Sequence, residues 1–294
     1  MIDRLKAAPA VTDRVKAARV TSAVSVSHGR GRLSVVRDGE GRSVVTRAFA
    51  TSPLRLLTPR NQGRAAWVYT SSYGGGLVDG DRIRLDVDVG PGAAAFLSSQ
   101  ASTKVYRSAR GTGAELQGRV AAEGLLAVVP DPVVCFAAAR YRQVQTFDVD
   151  AGGALVLVDW VSSGRHGSGE RWAFHEYVAL LTVRIDGRLV LRDALALRSG
   201  DGNLQERMGR FNVLASVLIL GTPLLVRAAE MAARVAAMPL GHRSEQLASA
   251  AAIGGDGWLL RVAGTSFERT AAMVRAELAF LPCLLGDDPW ARKW

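Results

Sequence analysis

Lysine is almost missing from this chain: among 294 residues it appears only at Lys6, Lys16, Lys104 and Lys293, so the net charge of +10 rests on arginine. No basic block exceeds two residues, and no aromatic residues interleave with the arginines. A basic balance without a motif is a weak sign of nucleic-acid binding, which stays as the alternative reading: a basic module without catalytic activity. Cysteine is nearly as scarce. Cys135 and Cys283 are too few for a disulfide framework, and with 4 scattered histidines they form no CxxC or HxxxH metal site. A reducing, cytoplasmic setting is expected. Residues 1–19 mix charge with alanine, so no signal peptide is read there. The longest apolar run, residues 213–226, contains Pro223 and falls short of the roughly 20 residues of a spanning helix, which predicts no membrane role. Low-complexity linkers and repeats of fixed period do not stand out.

What is present is a succession of short strand-like runs. Residues 1–19 read as a flexible or helical arm. From residue 20 to about residue 200, β-like segments recur every ten to fifteen residues with Gly, Asp and Pro turns between them: 20–27, 32–36, 43–49, 53–57, 66–71, 115–121, 125–129, 142–148, 154–161, 171–185 and 189–196. Asp186-Gly187 is a short hairpin signal. Helical patterning arrives only in the last third. Thr222-Pro223 offers an N-cap and a first-turn proline for a helix to about residue 237, and residues 244–252 and 266–280 read as further helices around a strand at 258–262. The expectation is a mainly β fold, a helical or two-layer arrangement of many short strands. A few α-helices fall in the C-terminal third, with residues 20–294 as one domain and 201–294 as its α/β cap.

The least generic stretch is YGGGLVDGDRIRLDVDVGPGAAAFLSSQASTKVYR, residues 73–107. Ile83, Leu85, Val87 and Val89 alternate with Arg82, Arg84, Asp86 and Asp88, the pattern of a strand with one buried and one wet face. Gly74, Gly75, Gly76 and Gly80 do not form a nucleotide fingerprint. That motif needs GxGxxG before a helix, whereas a strand follows here, and no GK[ST] occurs. They read as turn-makers that need positive φ or close backbone approach. Ser99, Thr103 and Lys104 do not have the spacing of a serine–lysine nucleophile, and no GxSxG elbow exists, so no catalytic residue is assigned.

The carboxylates are more informative. Asp79 and Asp81 flank Gly80, Asp131 lies between two prolines, Asp159 interrupts the apolar run LVLVDW, and Glu170 follows a glycine-rich loop. A carboxylate among apolar neighbours needs a partner. Two accounts remain open for Asp159: an ion pair with an arginine such as Arg165 or Arg140, or a polar, water-filled passage for a divalent cation held loosely by oxygen.

The ordered motifs YGGGLVDGDRIRLDV, SSQASTKVYRS, PDPVVCFAAARYRQ and VSSGRHGSGERW resemble the urease accessory protein family UreD (UreH). The resemblance covers residues 20–200 well and the remainder more loosely. It implies a non-catalytic β scaffold that binds the accessory protein UreF and, through it, the GTPase UreG. That assembly docks on apo-urease and delivers Ni²⁺, which passes through without being tightly bound. By the family's motifs, Asp81, Asp159 and Glu170 would lie on the metal path, with Thr103 and Lys104 as its polar lining; Asp131 is a further candidate for the path and Ser99 for the lining. Asp79 stands where the family usually has glycine, Tyr73 where it has proline, and Cys135 where it has proline. The C-terminal third is expected to contribute to the UreF-like contact, with the apolar run at 213–220 as a possible docking surface.

Overall fold

Three turns of one shape, stacked in register, organise the protein. The computed structural model describes residues 28–60 and 63–291; the expected arm at 1–19 and the expected strand at 20–27 lie outside them. Val89, Val120 and Val149 are register partners. Each is followed by a turn with one positive-φ residue: Gly92 (φ 62°), Glu123 (φ 59°) and Gly152 (φ 77°). The turns close with the same bond, Ala93 N–H to the Gly90 carbonyl (3.1 Å), Gly124 to Ala121 (2.9 Å) and Gly153 to Asp150 (2.9 Å).

Each turn joins a strand of one sheet to a strand of the other. They connect β5 (Arg82–Val89) to β6 (Ala94–Ser99), β8 (Thr112–Val120) to β9 (Leu125–Val128), and β11 (Arg140–Val149) to β12 (Ala154–Ser162). Sheet I runs β14 (Arg188–Arg198), β13 (Glu176–Ile185), β11, β8, β5, β1 (His28–Arg37), β2 (Ser43–Ala50), parallel except for its two outermost pairs. Sheet II runs β16 (Gln246–Ile253), β17 (Gly257–Gly264), β15 (Val213–Leu220), β12, β9, β6, β4 (Ala66–Ser72), β3 (Leu54–Leu57). The chain thus winds as a two-layer helix of strands, one coil per roughly thirty residues. The coil is a repeat that the sequence does not display, because VGPGA, VAAEGL and VDAGGA share backbone geometry and little identity.

Packing explains the strand texture. Leu155 and Leu157 of β12 face the core between the sheets, beside Val87, Phe147 and Val183 of sheet I. Val156, Val158 and Trp160 face the opposite way, under the helices. A strand buried on both faces reads as an apolar run, not an alternation. The same holds for β15: residues 213–220 are central core, not a docking surface. Helices α1 (Leu204–Met208), α2 (Leu225–Ala236), α3 (Phe267–Glu277) and α4 (Leu281–Leu285) follow in the last third. The Ser266 hydroxyl caps α3 by accepting from Arg269 N–H.

Residues 244–252 are not a helix. Their alanines favour helix intrinsically, but β16 pairs with β17 in unbroken antiparallel register from Gln246 to Ile253, and that pairing prevails. Residues 171–175 are loop, and β13 begins at Glu176. Two short strands, β7 (Thr103–Val105) and β10 (Val133–Cys135), pair in parallel and extend from the end of β12. They cover a third cluster built on Leu77, Val105, Tyr141, Phe174 and Tyr177. Among the described residues no helix is long and apolar enough to cross a membrane.

Candidate functional site

Between the sheets, the apolar interior is cut by a polar band. Along β12, Leu157 belongs to the central core and Val161 to the third cluster; Asp159 lies between them on the same inward face. Along β11, Tyr141 belongs to the third cluster and Phe147 to the central core, with the buried Gln143 and Gln145 between. Strand register then carries the band sideways across sheet II. Asp159 pairs with Ser216, Ser216 with Arg261, and Arg261 with Ser249 on the edge strand β16. From sheet I, Asp193 reaches across to Arg261 at 2.5 Å.

This band lines open space. A narrow cavity of about 40 Å³ is bounded by Asp159, Tyr177, Asp193, Ser216 and apolar neighbours. A water needs roughly 10–15 Å³ on this scale, so there is room for about three. The cavity shares Asp193, Leu195, Leu214 and Ser216 with a cleft of about 350 Å³ lined also by Ser249 and Arg261. An inner carboxylate therefore connects, through a polar row, to the edge of the sandwich.

Asp159 is paired with neither Arg165 nor Arg140; it is held by neutral groups. Tyr177 O–H donates to its Oδ1 at 3.5 Å. Burial pushes its carboxyl up to about 6, against hydrogen bonds from Gln143 and Tyr177 that favour the charge, while the nearby Asp193 pushes it further up. The Tyr177 hydroxyl is raised well above its ordinary value, first by burial and then by the charge of Asp159, so it stays a donor. Tyr141 O–H donates to Gln143 Oε1 at 3.3 Å, and Gln145 Oε1 finds no protein donor among the described residues. Cys135 is buried, and burial raises its thiol far enough to keep it neutral. It is an inert packing group beside the band, not a thiolate ligand.

The other sequence-predicted residues occupy separate places. Asp81 is buried and closes the turn before β5: Val78 N–H donates to its Oδ2 at 2.9 Å, and its carbonyl accepts from Gly113 N–H at 3.0 Å. Gly74 (φ 79°), Gly75 (φ 73°) and Gly80 (φ 92°) supply positive φ. Gly76 has extended backbone and is required by space: a Cβ there would lie 2.6 Å from the Tyr106 ring and 2.7 Å from the Lys104 carbonyl. Asp79, at the position where glycine was expected, clamps Arg110, accepting from its backbone N–H at 2.7 Å and its Nε at 3.1 Å. Those bonds overcome partial burial and hold its carboxyl below the ordinary value.

Ser99 and Asp131 bond reciprocally, Asp131 N–H to Ser99 Oγ at 2.7 Å and Ser99 O–H to Asp131 Oδ2 at 3.4 Å. Ser99, Thr103 and Lys104 line a cleft of about 210 Å³ with Gly75 and Ser102. Glu170 is engaged by Arg165 through both oxygens and by Ala137 N–H at 3.1 Å, and Arg165 in turn stacks 4.4 Å over Phe136. Arg165, opposed by slight burial and aided by Ala137 N–H, keeps the Glu170 carboxyl below its ordinary value. Among the described residues no three His, Cys, Asp or Glu side chains gather as a metal centre. Sequence reading missed Gln143, Tyr177, Asp193, Ser216 and Arg261. Asp159 inside LVLVDW was the one local signal, and only strand register reveals the row it belongs to.

A two-sheet helix of strands with a carboxylate-bearing polar band between its layers is the class of protein that fold and site define. A family model described as UreD urease accessory protein matches residues 27–294. A urease accessory protein UreD of Sorangium cellulosum is 51% identical over 266 residues, covering 90% of this chain and 84% of that one. Its counterpart from Anaeromyxobacter is 46% identical, with 92% and 91% covered, and the urease accessory protein D of Oryza sativa subsp. indica is 36% identical, with 94% and 99% covered. The chain belongs to the UreD family of urease accessory proteins.

Proposed function

We propose that this chain is a maturation scaffold that passes Ni²⁺ to apo-urease along the polar band, docking a UreF-like protein and through it a UreG-like GTPase. Family membership supports the accessory role. The observation that carries the route is Asp159, an inward carboxylate without a cationic partner among the described residues, joined by the Ser216–Arg261–Ser249 row to an open cleft. Its ligand chemistry suits transit. Carboxylate, amide and hydroxyl oxygens bind a borderline dication weakly compared with thiolate or clustered imidazole. A carboxyl near 6 is mostly ionised at neutral pH, and an arriving dication favours the ionised form further.

Asp81, Asp131 and Glu170 shape this path in the proposal instead of binding the ion, because backbone N–H groups, Ser99 and Arg165 already engage their oxygens. The test co-expresses urease, the other accessory proteins and Asp159→Ala. Complex assembly should survive while nickel per urease active site falls. Equal loss of assembly and nickel would make Asp159 structural, and full nickel loading without this chain would end the proposal altogether.

A further inference from the structure

Helices α2, α3 and α4 pack on sheet II, while the outer face of sheet I over β1, β2 and β5 carries the exposed Arg30, Arg32, Arg47, Phe49 and Arg84. On that face, register sets Arg30 beside Arg84 and Arg32 beside Asp86, with Phe49 across from Arg32 and Arg47 across from Ser34. Arg30, Arg32, Arg47, Phe49, Arg84 and Asp86 line a groove of about 620 Å³. Arg84 is satisfied by Gln117 at 2.8 Å, Asp86 at 3.2 Å and Glu115 at 3.7 Å. Arg30, Arg32 and Arg47 make no ion pair with any described residue. Arg30 and Arg32 are alternate residues of β1 and Arg47 lies on the neighbouring strand β2, about 4.8 Å away, so their guanidiniums repel one another until an anion arrives. Phe49 stands among them, 54% exposed. Arginines around an exposed aromatic are the composition of a protein-interface anchor.

Charge decides the occupant. The chain's own residues 1–27 carry Arg4, Lys6, Arg14, Lys16 and Arg19 against Asp3 and Asp13, which is the wrong sign. A nucleic-acid strand needs a basic track that continues along its backbone, whereas Asp86 lines this groove and Glu115 stands opposite Arg84 on its β5–β8 side. We propose that the groove docks a short acidic segment of a partner protein, its carboxylates on Arg30, Arg32 and Arg47 and an apolar side chain on Phe49.

The inference is independent of nickel passage, and the Asp159 variants should bind the same segment as the unaltered chain. The probe is a fluorescent peptide of about ten residues, Glu/Asp-rich with two central leucines. It is titrated by anisotropy onto the full-length protein near physiological salt and compared with a labelled oligothymidine. Reversing the groove (Arg30→Glu, Arg32→Glu, Arg47→Glu) should weaken peptide binding by about tenfold or more. Reversing three exposed arginines elsewhere on sheet I (Arg119→Glu, Arg142→Glu, Arg192→Glu) should cost far less at the same net charge. Phe49→Ser should weaken binding with the salt dependence unchanged. Neutral Arg→Gln versions, with unchanged melting, serve if the reversed groove does not fold. Equal loss from both triple variants, absence of peptide binding, or tighter oligothymidine binding through the same three arginines would each overturn the proposal.

Discussion

Replacing Asp159 by Asn should stabilise the fold while impairing the function. The carboxyl moves from an ordinary value of 3.8 to about 6 in the folded protein. At about 1.4 kcal/mol per pH unit, keeping the charge inside costs about 3 kcal/mol at neutral pH. The sign follows from proton binding. Between 3.8 and about 6 the folded chain holds more protons than the unfolded one. Stability of the unaltered protein therefore falls as pH rises through that window and levels off above it. Asn has no charge to bury. It can accept from Tyr177 as Asp159 does, but its amide N–H₂ cannot accept from Gln143, a loss of about 1 kcal/mol. The net expectation is about 2 kcal/mol of added stability above pH 7, shrinking toward zero or below near pH 4. Urea unfolding of both proteins at half-unit steps between those limits measures it. A destabilised variant at pH 7.5, or a stability difference that does not change with pH, would refute the placement of a costly charge at this site. Urease matured with the same variant should contain less nickel, so stability and delivery should move in opposite directions.

Arg261→Gln removes the cation facing Asp193 at the mouth of the cavity. It should raise the Asp159 carboxyl further, visible as a shift to higher pH in the stability profile, and should change the nickel-loading rate without dissolving the complex. Gly76→Ala forces a Cβ against the Tyr106 ring and the Lys104 carbonyl, so it should destabilise by roughly 1–3 kcal/mol. At Gly74 only the positive φ opposes alanine, for about 1 kcal/mol; thermal melts rank the two. Leu218→Ala in β15 should cost about 2–5 kcal/mol, the value for a core strand and far above that of a solvent-exposed patch. Glu170→Gln should lose a small stabilisation, about 0–1 kcal/mol. Because the Glu170 carboxyl is held below its ordinary value, that loss should show above pH 4.5 and vanish as pH falls below it.

Much of the candidate site was legible as residues and little of it as geometry. Asp159 announced itself because a carboxylate inside LVLVDW has no cheap explanation in a buried strand. Its partners did not. Gln143, Ser216 and Asp193 are ordinary polar residues in their own segments; Ser216 meets Asp159 only through the β12–β15 pairing, and Gln143 and Asp193 only because sheet I packs over sheet II. Asp81 and Glu170 were legible as carboxylates in glycine-rich surroundings. Only the fold showed their oxygens bound to Val78 N–H and to Arg165.

By itself the sequence determined the strand texture, the hairpin at Asp186-Gly187, the closing helix that follows residue 266, and the family. These rest on local backbone preference, on period-two alternation and on motifs that are contiguous in the chain. The tertiary structure alone decided that residues 244–252 extend a sheet, that residues 213–220 are interior, and that turns with little shared sequence stack as one coil. It also decided that a polar band crosses the interior. Each of those depends on which strand lies next to which. Register assigns every side chain to a face, and a single chain read in order carries no record of its neighbours across the sheet.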